Sequence, residues 1–264
     1  MKRIVIALLI LAVAACKPAP KKEEVKEETV EMVKPDYPEA LGKVLEAHGG
    51  MDAWKQKRTL TFALQKPDFR EVHTIDLHNR KDRIDTEIFS MGFDGEQAWL
   101  LDTDKKYKGN VGFYHNLIFY FYAMPFVLAD DGIIYTETED LEFEGKSYPG
   151  IEISYENGVG ASSKDQYYIH YDPETYQMAW LGYTVTYRSG EVSDNVRWIR
   201  YDDWTNLDGV VLPNSISWFN YEGRTLLEPA NTRTFESASL TTEAKDASFY
   251  AKPEGAEFVE INKN

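Results

Sequence analysis

Hydrophobic and polar residues alternate with a period of two along most of the chain from residue 59 onward. Leu60, Phe62 and Leu64 alternate with small or polar neighbours, as on a β-strand that buries one face. Similar runs predict strands near residues 72–77, 83–89, 92–101, 150–155, 166–171, 178–188, 196–204, 210–221 and 232–240. About ten to eleven short strands predict a mainly β fold, a single curved antiparallel half-barrel with a few helices packed in or across it.

Two helices are predicted before the first strand. Leu41, Val44 and Leu45 recur at the spacing of one helical face, and Gly49 provides a C-terminal stop. A second, shorter helical segment is expected over residues 51–57.

One apolar segment interrupts the strand pattern. Residues 113–129 include seven aromatic residues and are just too short to span a membrane. We predict one or two helices packed against the sheet, which Pro125 ends or kinks. A helix that is apolar on nearly all sides is buried on both, so a loop, a partner or a bound lipid is expected opposite the sheet. The predicted shared face comprises Phe113, Leu117, Phe121 and Met124.

The N-terminus has the features of a bacterial signal peptide. Lys2 and Arg3 precede an apolar stretch, residues 4–13, that is too short to cross a bilayer. The following Val-Ala-Ala-Cys sequence resembles a lipobox, which implies cleavage before Cys16 and a membrane anchor of diacylglycerol and an N-terminal acyl chain such as palmitate. The alternative is an ordinary secretory signal with an accidental cysteine.

Three regions are therefore predicted along the chain. Residues 1–15 are a lipoprotein signal peptide, and residues 16–36 are a flexible tether of proline and alternating lysine and glutamate blocks. Residues 37–264 form the folded domain. A short exposed helix within the tether is the alternative for that region.

Composition and charge exclude several functional classes. A hydrophobic fraction of 43 % is sufficient for a core, and the single cysteine excludes a disulfide framework or a cysteine-based metal centre. The net charge of −15 argues against nucleic acid as a partner. Loss of Lys2 and Arg3 on cleavage would lower it to −17, and such a surface is repelled by anionic headgroups. Membrane attachment is thus expected through lipid on Cys16.

No catalytic motif is present, and we predict a protein that is not an enzyme, with no catalytic residue, cofactor or metal. Asp202 and Asp203 are paired carboxylates, but neighbours on a strand point to opposite faces. Asp76 and His78 share a strand face, for which a solvated polar surface is favoured over a metal site. His48 ends the first helix, where a cation suits the helix dipole.

Four short segments occur in order along the chain: AHGGMDAW at 47–54, FDGEQAW at 93–99, YIHYDPET at 168–175 and DGVVLP at 208–213. They resemble turns and strands of the LolA/LolB-like outer-membrane lipoprotein carriers and receptors. The resemblance covers about residues 37–249 and is nearest to a set of Bacteroidetes lipoproteins with this fold. It implies a curved antiparallel sheet wrapped around helices, an apolar cavity suited to acyl chains, and no catalytic residues.

The leading hypothesis is a lipid-anchored protein of the bacterial cell envelope, at the outer membrane, that binds a hydrophobic ligand (a lipid or acyl chain) in an apolar cavity. The resemblance includes soluble shuttles, whereas Cys16 implies permanent anchoring, so an anchored acceptor or sensor is favoured. A non-enzymatic interaction module with a filled barrel and a glycan-active enzyme using paired carboxylates are the alternatives; the membrane face and any protein partner are left open. The expected cavity lining comprises Trp99, Phe113, Leu117, Phe121 and Met124.

Overall fold

A computed structural model describes residues 37–155, 164–186 and 193–260. The predicted signal peptide, the tether and Cys16 lie outside the described residues, as does the end of the strand predicted over 178–188.

Fourteen strands in the described part of the chain form two antiparallel sheets of seven. The first sheet has the order β13 (Glu236–Thr241), β1 (Thr59–Gln65), β2 (Arg70–Asp76), β3 (Asp82–Asp85), β4 (Ser90–Phe93), β5 (Ala98–Leu101) and β14 (Glu257–Val259). The second has the order β12 (Thr225–Thr234), β11 (Val210–Glu222), β10 (Arg197–Leu207), β9 (Met178–Tyr183), β8 (Tyr167–Tyr171), β7 (Lys146–Tyr155) and β6 (Ile133–Phe143).

The helices are short. Their bounds are α1 (Glu39–Ala47), α2 (Met51–Gln56), α3 (Val111–Tyr114), α4 (Leu117–Tyr122), a 3-10 helix (Phe126–Ala129) and α5 (Ala247–Tyr250). The two predicted N-terminal helices are confirmed. In the apolar segment, α4 ends at Tyr122 and the 3-10 helix begins directly after Pro125, so the helical run is interrupted before Pro125 and does not end at it. None of the helices among the described residues is long and apolar enough to cross a membrane.

Among the described residues, the largest of three hydrophobic clusters joins both sheets with α1, α2, α4 and the 3-10 helix. Leu60, Phe62 and Leu64 of β1 are at most 1 % exposed, as their alternation predicts. They share a cluster with Tyr122 of α4 and Ile199 of β10. The predicted class, mainly β and antiparallel with a few packed helices, is confirmed. The strands are more numerous than the sequence predicts, and they divide into two sheets.

The strand that contains Asp76 is shorter than its sequence pattern suggests. β2 ends at Asp76, and His78 lies in the following turn, so the prediction that the two share a strand face is wrong. Asp76 instead accepts hydrogen bonds from the backbone N–H of His78 at 3.0 Å and from the Arg58 guanidinium. The side chain of Asp76 thereby holds the turn between β2 and β3.

Candidate functional site

The apolar segment with α3 and α4 contacts both sheets. On the first sheet, the Phe62 ring meets Tyr122 edge-to-face with centroids 4.6 Å apart. On the second, the Tyr201 hydroxyl donates to the Phe121 carbonyl at 2.8 Å. The protein itself therefore covers both sides of this segment.

A cluster along one side of α4 connects the core to the surface. The Phe121 ring lies 5.2 Å from Tyr183 and 5.8 Å from Trp218, and the Trp218 indole donates to the Tyr183 hydroxyl at 2.9 Å. Leu117 lies one helical turn before Phe121 and so occupies the same side of α4. Phe121 and Tyr183 are buried, whereas Leu117 and Trp218 are half-buried. We call Leu117, Phe121, Tyr183 and Trp218 the α4 cluster.

Over residues 122–128, the segment is packed against protein atoms. Tyr122, Phe126 and Leu128 have no accessible surface, and the Phe126 ring stacks on Trp54 at 4.6 Å. A side chain that borders a space large enough for water keeps some accessible area. These three side chains therefore border no such space, and Met124 is almost as fully buried.

The expected cavity residues do not all meet. Leu117 and Phe121 are brought together, whereas Phe113 lies in α3, which ends before the residues His115 and Asn116 that precede α4. Because the helix is interrupted there, its 3.6-residue spacing does not extend from Phe113 to Phe121.

Trp99 lies on the opposite face of the first sheet from α3, which corrects its placement beside the helical segment. Its neighbour Ala98 shares a cluster with Val111 of α3, and successive strand residues face opposite sides. The Trp99 indole donates to the Tyr250 carbonyl at 2.9 Å, and the Arg83 guanidinium lies 5.6 Å from its ring. Trp99 thus anchors α5.

Buried polar groups join α3 to the first sheet. The Tyr114 hydroxyl donates to Glu71 at 2.8 Å and accepts from Lys66 at 2.8 Å, and His73 lies 3.2 Å from the same Glu71 oxygen. Burial raises the pKa of Glu71, but the hydrogen bond and charge of His73 and the nearby Lys66 outweigh it and lower the pKa. Glu71 therefore accepts these bonds as a carboxylate.

A second acid–histidine pair lies next to the first. His115, directly after α3, has its Nδ1 2.6 Å from Asp82 Oδ2 of β3. Burial raises the pKa of the Asp82 carboxyl, and its other oxygen is buried without a hydrogen-bond partner among the described residues. Sequence reasoning missed both pairs, because only the position of α3 turns these strand residues into buried ones.

The carboxylates considered for catalysis are exposed and engaged elsewhere. Asp202 lies 3.4 Å from the Arg200 guanidinium, and Asp203 accepts from Asn214 at 3.1 Å and Ser215 at 3.2 Å. Within the described ranges, no group of three or more histidine, cysteine or acidic residues could hold a metal ion.

Comparisons with known proteins find one matching family model and several solved structures of low sequence identity. A family model described as a family of unknown function (DUF6503) matches residues 101–228, and no curated protein matches. A solved LolA superfamily protein from Nitrosomonas europaea is 9 % identical, with 79 % of this chain and 96 % of that one covered and a TM-score of 0.48. A putative outer membrane lipoprotein-sorting protein domain from Vibrio parahaemolyticus is 10 % identical, with 79 % and 97 % covered and a TM-score of 0.45. A DUF1329 family protein from Desulfovibrio piger is 10 % identical, with 78 % and 97 % covered and a TM-score of 0.43. These similarities concern the fold and say nothing about what this chain binds.

Proposed function

We propose that this chain is a lipid-anchored protein of the bacterial outer membrane that binds a hydrophobic ligand, a lipid or acyl chain, at the α4 cluster. One observation carries the proposal: an apolar surface that reaches solvent at Leu117 and Trp218 continues into the core through Phe121. Each methylene of a ligand that leaves water on such a surface contributes about 0.8 kcal/mol. Apolar burial, rather than charge, supplies most of the binding free energy.

The packed interior limits where the alkyl chain of a ligand could bind. Since Tyr122 and Phe126 have no accessible surface, the ligand lies along the α4 cluster or separates α4 from the second sheet. α4 has only six residues, and helices this short depend on tertiary contacts for their stability. Moving Phe121 away from Tyr183 and Trp218 would extend the apolar surface without unfolding either sheet.

The anchor is proposed from the N-terminal sequence. The lipobox-like segment before Cys16 supports lipidation, and the predicted tether to residue 36 separates the lipid from the domain. Cys16→Ser should abolish incorporation of labelled palmitate in the cell and release the chain from the membrane fraction. A Cys16→Ser chain that remains lipid-labelled would contradict the anchor.

Ligand binding is tested with the unlipidated Cys16→Ser chain and dodecanol, a neutral ligand, by tryptophan fluorescence and calorimetry. We expect saturable binding that Leu117→Glu weakens at least tenfold, because a carboxylate would be placed on the apolar surface. Ile88→Glu is the matched control, since Ile88 is 44 % exposed in the turn between β3 and β4. Absence of binding, or equal loss in both variants, would contradict the proposal.

A filled interaction module is the second candidate. The full burial of Tyr122, Phe126 and Leu128 favours it, because these side chains leave no room for a guest in the described arrangement. In that case dodecanol binds neither to the Cys16→Ser chain nor to its Leu117→Glu variant, and the substitution changes only the free energy of unfolding.

A further inference from the structure

Arg233 is a half-buried cation on the core side of the second sheet. In the ladder between β11 and β12 it lies opposite Ile216, whose side chain is 1 % exposed. Two residues further on, Phe235 stacks on Tyr122 of α4 with centroids 4.1 Å apart. Ile216 belongs to the same buried cluster as Phe121 and Tyr122 of α4. Directly opposed residues of neighbouring strands share a face, so Arg233 lies on the side of the sheet that α4 covers.

This position brings the guanidinium to the edge of the α4 cluster. Trp218 lies opposite Asn231, which makes Trp218 and Arg233 diagonal neighbours on one face, about 7–8 Å apart and within reach of long side chains. Arg233 is also close enough to Tyr114 for its charge to favour the phenolate, although burial raises the pKa of Tyr114. Arg233 is therefore a neighbour of Trp218 in the sheet and is close enough to Tyr114 of α3 to act on its charge.

Among the described residues, no hydrogen bond or ion pair reaches the Arg233 guanidinium. Other cations near α3 and α4 are engaged: Lys66 with Glu71 at 3.3 Å and Arg80 with Asp130 at 2.8 Å. In a chain with a net charge of −15, acidic residues are plentiful. A partly desolvated arginine without a carboxylate is a suitable receptor for an anion from outside the chain, because its planar fork matches carboxylate and phosphate.

We propose that the ligand of the α4 cluster is an anionic amphiphile whose carboxylate or phosphate head pairs with Arg233 while its alkyl chain lies on Leu117, Phe121 and Trp218. This inference rests on the proposed function and adds the chemical class of the ligand. A bidentate pair with the guanidinium would fix the head at the solvent edge, next to Tyr114.

The test compares three ligands with the same alkyl chain: dodecanoate, dodecyl phosphate and dodecanol, each titrated into the full-length Cys16→Ser chain at pH 8. We expect at least one anion to bind tenfold more tightly than the alcohol, and the tighter anion identifies the head. Arg233→Gln should remove that preference and leave the affinity for dodecanol unchanged. Arg70→Gln should preserve it, because Arg70 lies 3.6 Å from Glu236 and already has an acidic partner.

The outcomes separate this inference from the proposed function. If dodecanol binds but neither anion binds more tightly, or if Arg233→Gln keeps the preference, the anionic ligand is wrong and the hydrophobic site stands. Arg197 is an exposed arginine that lies opposite Tyr183 in the ladder between β9 and β10. If Arg197→Gln removes the preference instead, the assignment of the anion to Arg233 is likewise wrong and the hydrophobic site stands. If none of the three ligands binds to a Cys16→Ser chain that unfolds cooperatively and is therefore folded, the proposed function fails as well.

Discussion

His48 joins α1 to the second sheet through both nitrogens of its ring. It is fully buried, with Nδ1 3.2 Å from the Val211 carbonyl and Nε2 accepting from the Met178 N–H at 3.1 Å. These bonds need one protonated and one bare nitrogen, and so a neutral imidazole. Burial lowers the pKa of His48 to about 4. The sequence-based expectation of a cation that suits the helix dipole is therefore wrong.

We predict that stability falls as the pH drops from neutral toward 4. The unfolded chain binds a proton at His48 near pH 6.5, whereas the folded chain resists it until about pH 4. The stabilisation is thus present above pH 6.5 and is lost as the pH falls through this window, at about 1–3 kcal/mol. His170, with a pKa lowered by burial to about 4, adds a similar loss. Urea unfolding at a series of pH values measures it.

The contribution of His48 is isolated by His48→Gln. This variant should be less stable at neutral pH, because glutamine loses the ring contact of His48 with Trp204, whose centroids lie 4.3 Å apart, but its free energy of unfolding should depend less steeply on pH. His78→Gln is the control, since His78 is exposed in the turn after β2. Equal pH dependence in the wild type and His48→Gln would sink this account.

Among the elements, α1 depends on one close backbone approach. Gly49 follows the helix with φ +103°, and a Cβ there would lie 2.0 Å from the Gly209 carbonyl oxygen in the turn between β10 and β11. No side chain fits between two backbones at this distance. The glycine is required both for its φ and for the contact of α1 with the turn.

We predict that Gly49→Ala destabilises the fold by about 2–4 kcal/mol, since the crowding adds to the cost of a positive φ. Gly223→Ala is the matched control: Gly223 has φ +60°, but a Cβ there would meet nothing within 4 Å. The control should cost about 1 kcal/mol. Denaturant unfolding gives both values, and equal costs would show that the contact with Gly209 is unimportant.

The elements differ in how far sequence predicts them. α1 and β1 follow from their periodicity, because the large apolar residues of each lie on one stripe or face. β6 is not among the strands predicted from the sequence, because this edge strand is exposed along most of its length and its residues are mostly polar. Trp99 was predictable as a buried strand residue but not as one that faces α5, since the face depends on which side the helices cover.

At the scale of the whole molecule, the division into two sheets is set by contacts between distant residues. β1 pairs with β13, which places Thr59 opposite Thr241, and no local pattern encodes that pairing. The same limit applies to the candidate site. The shared face of Leu117 and Phe121 was predictable from helical spacing. The position of Arg233 beside Trp218 depends on the register between β11 and β12, which the sequence pattern does not reveal.

Net charge supports a last prediction, about the membrane. Many cations are paired with acids on the same domain, as Arg58 is with Asp76 at 3.0 Å and Arg83 with Asp85 at 2.8 Å. With a formal charge of −15, few cations are left to attract anionic lipid, so the lipid on Cys16 should provide the attachment.

The unlipidated Cys16→Ser chain should therefore bind vesicles of phosphatidylcholine no more weakly than vesicles that also contain phosphatidylserine, and lowering the salt should not increase binding to the anionic ones. The lipidated chain is the control and should sediment with both vesicle types, because its acyl chains insert regardless of headgroup charge. Sedimentation measures the bound fraction. Binding of the unlipidated chain that rises with phosphatidylserine would mean that a basic surface, and not the lipid alone, holds the protein at the membrane.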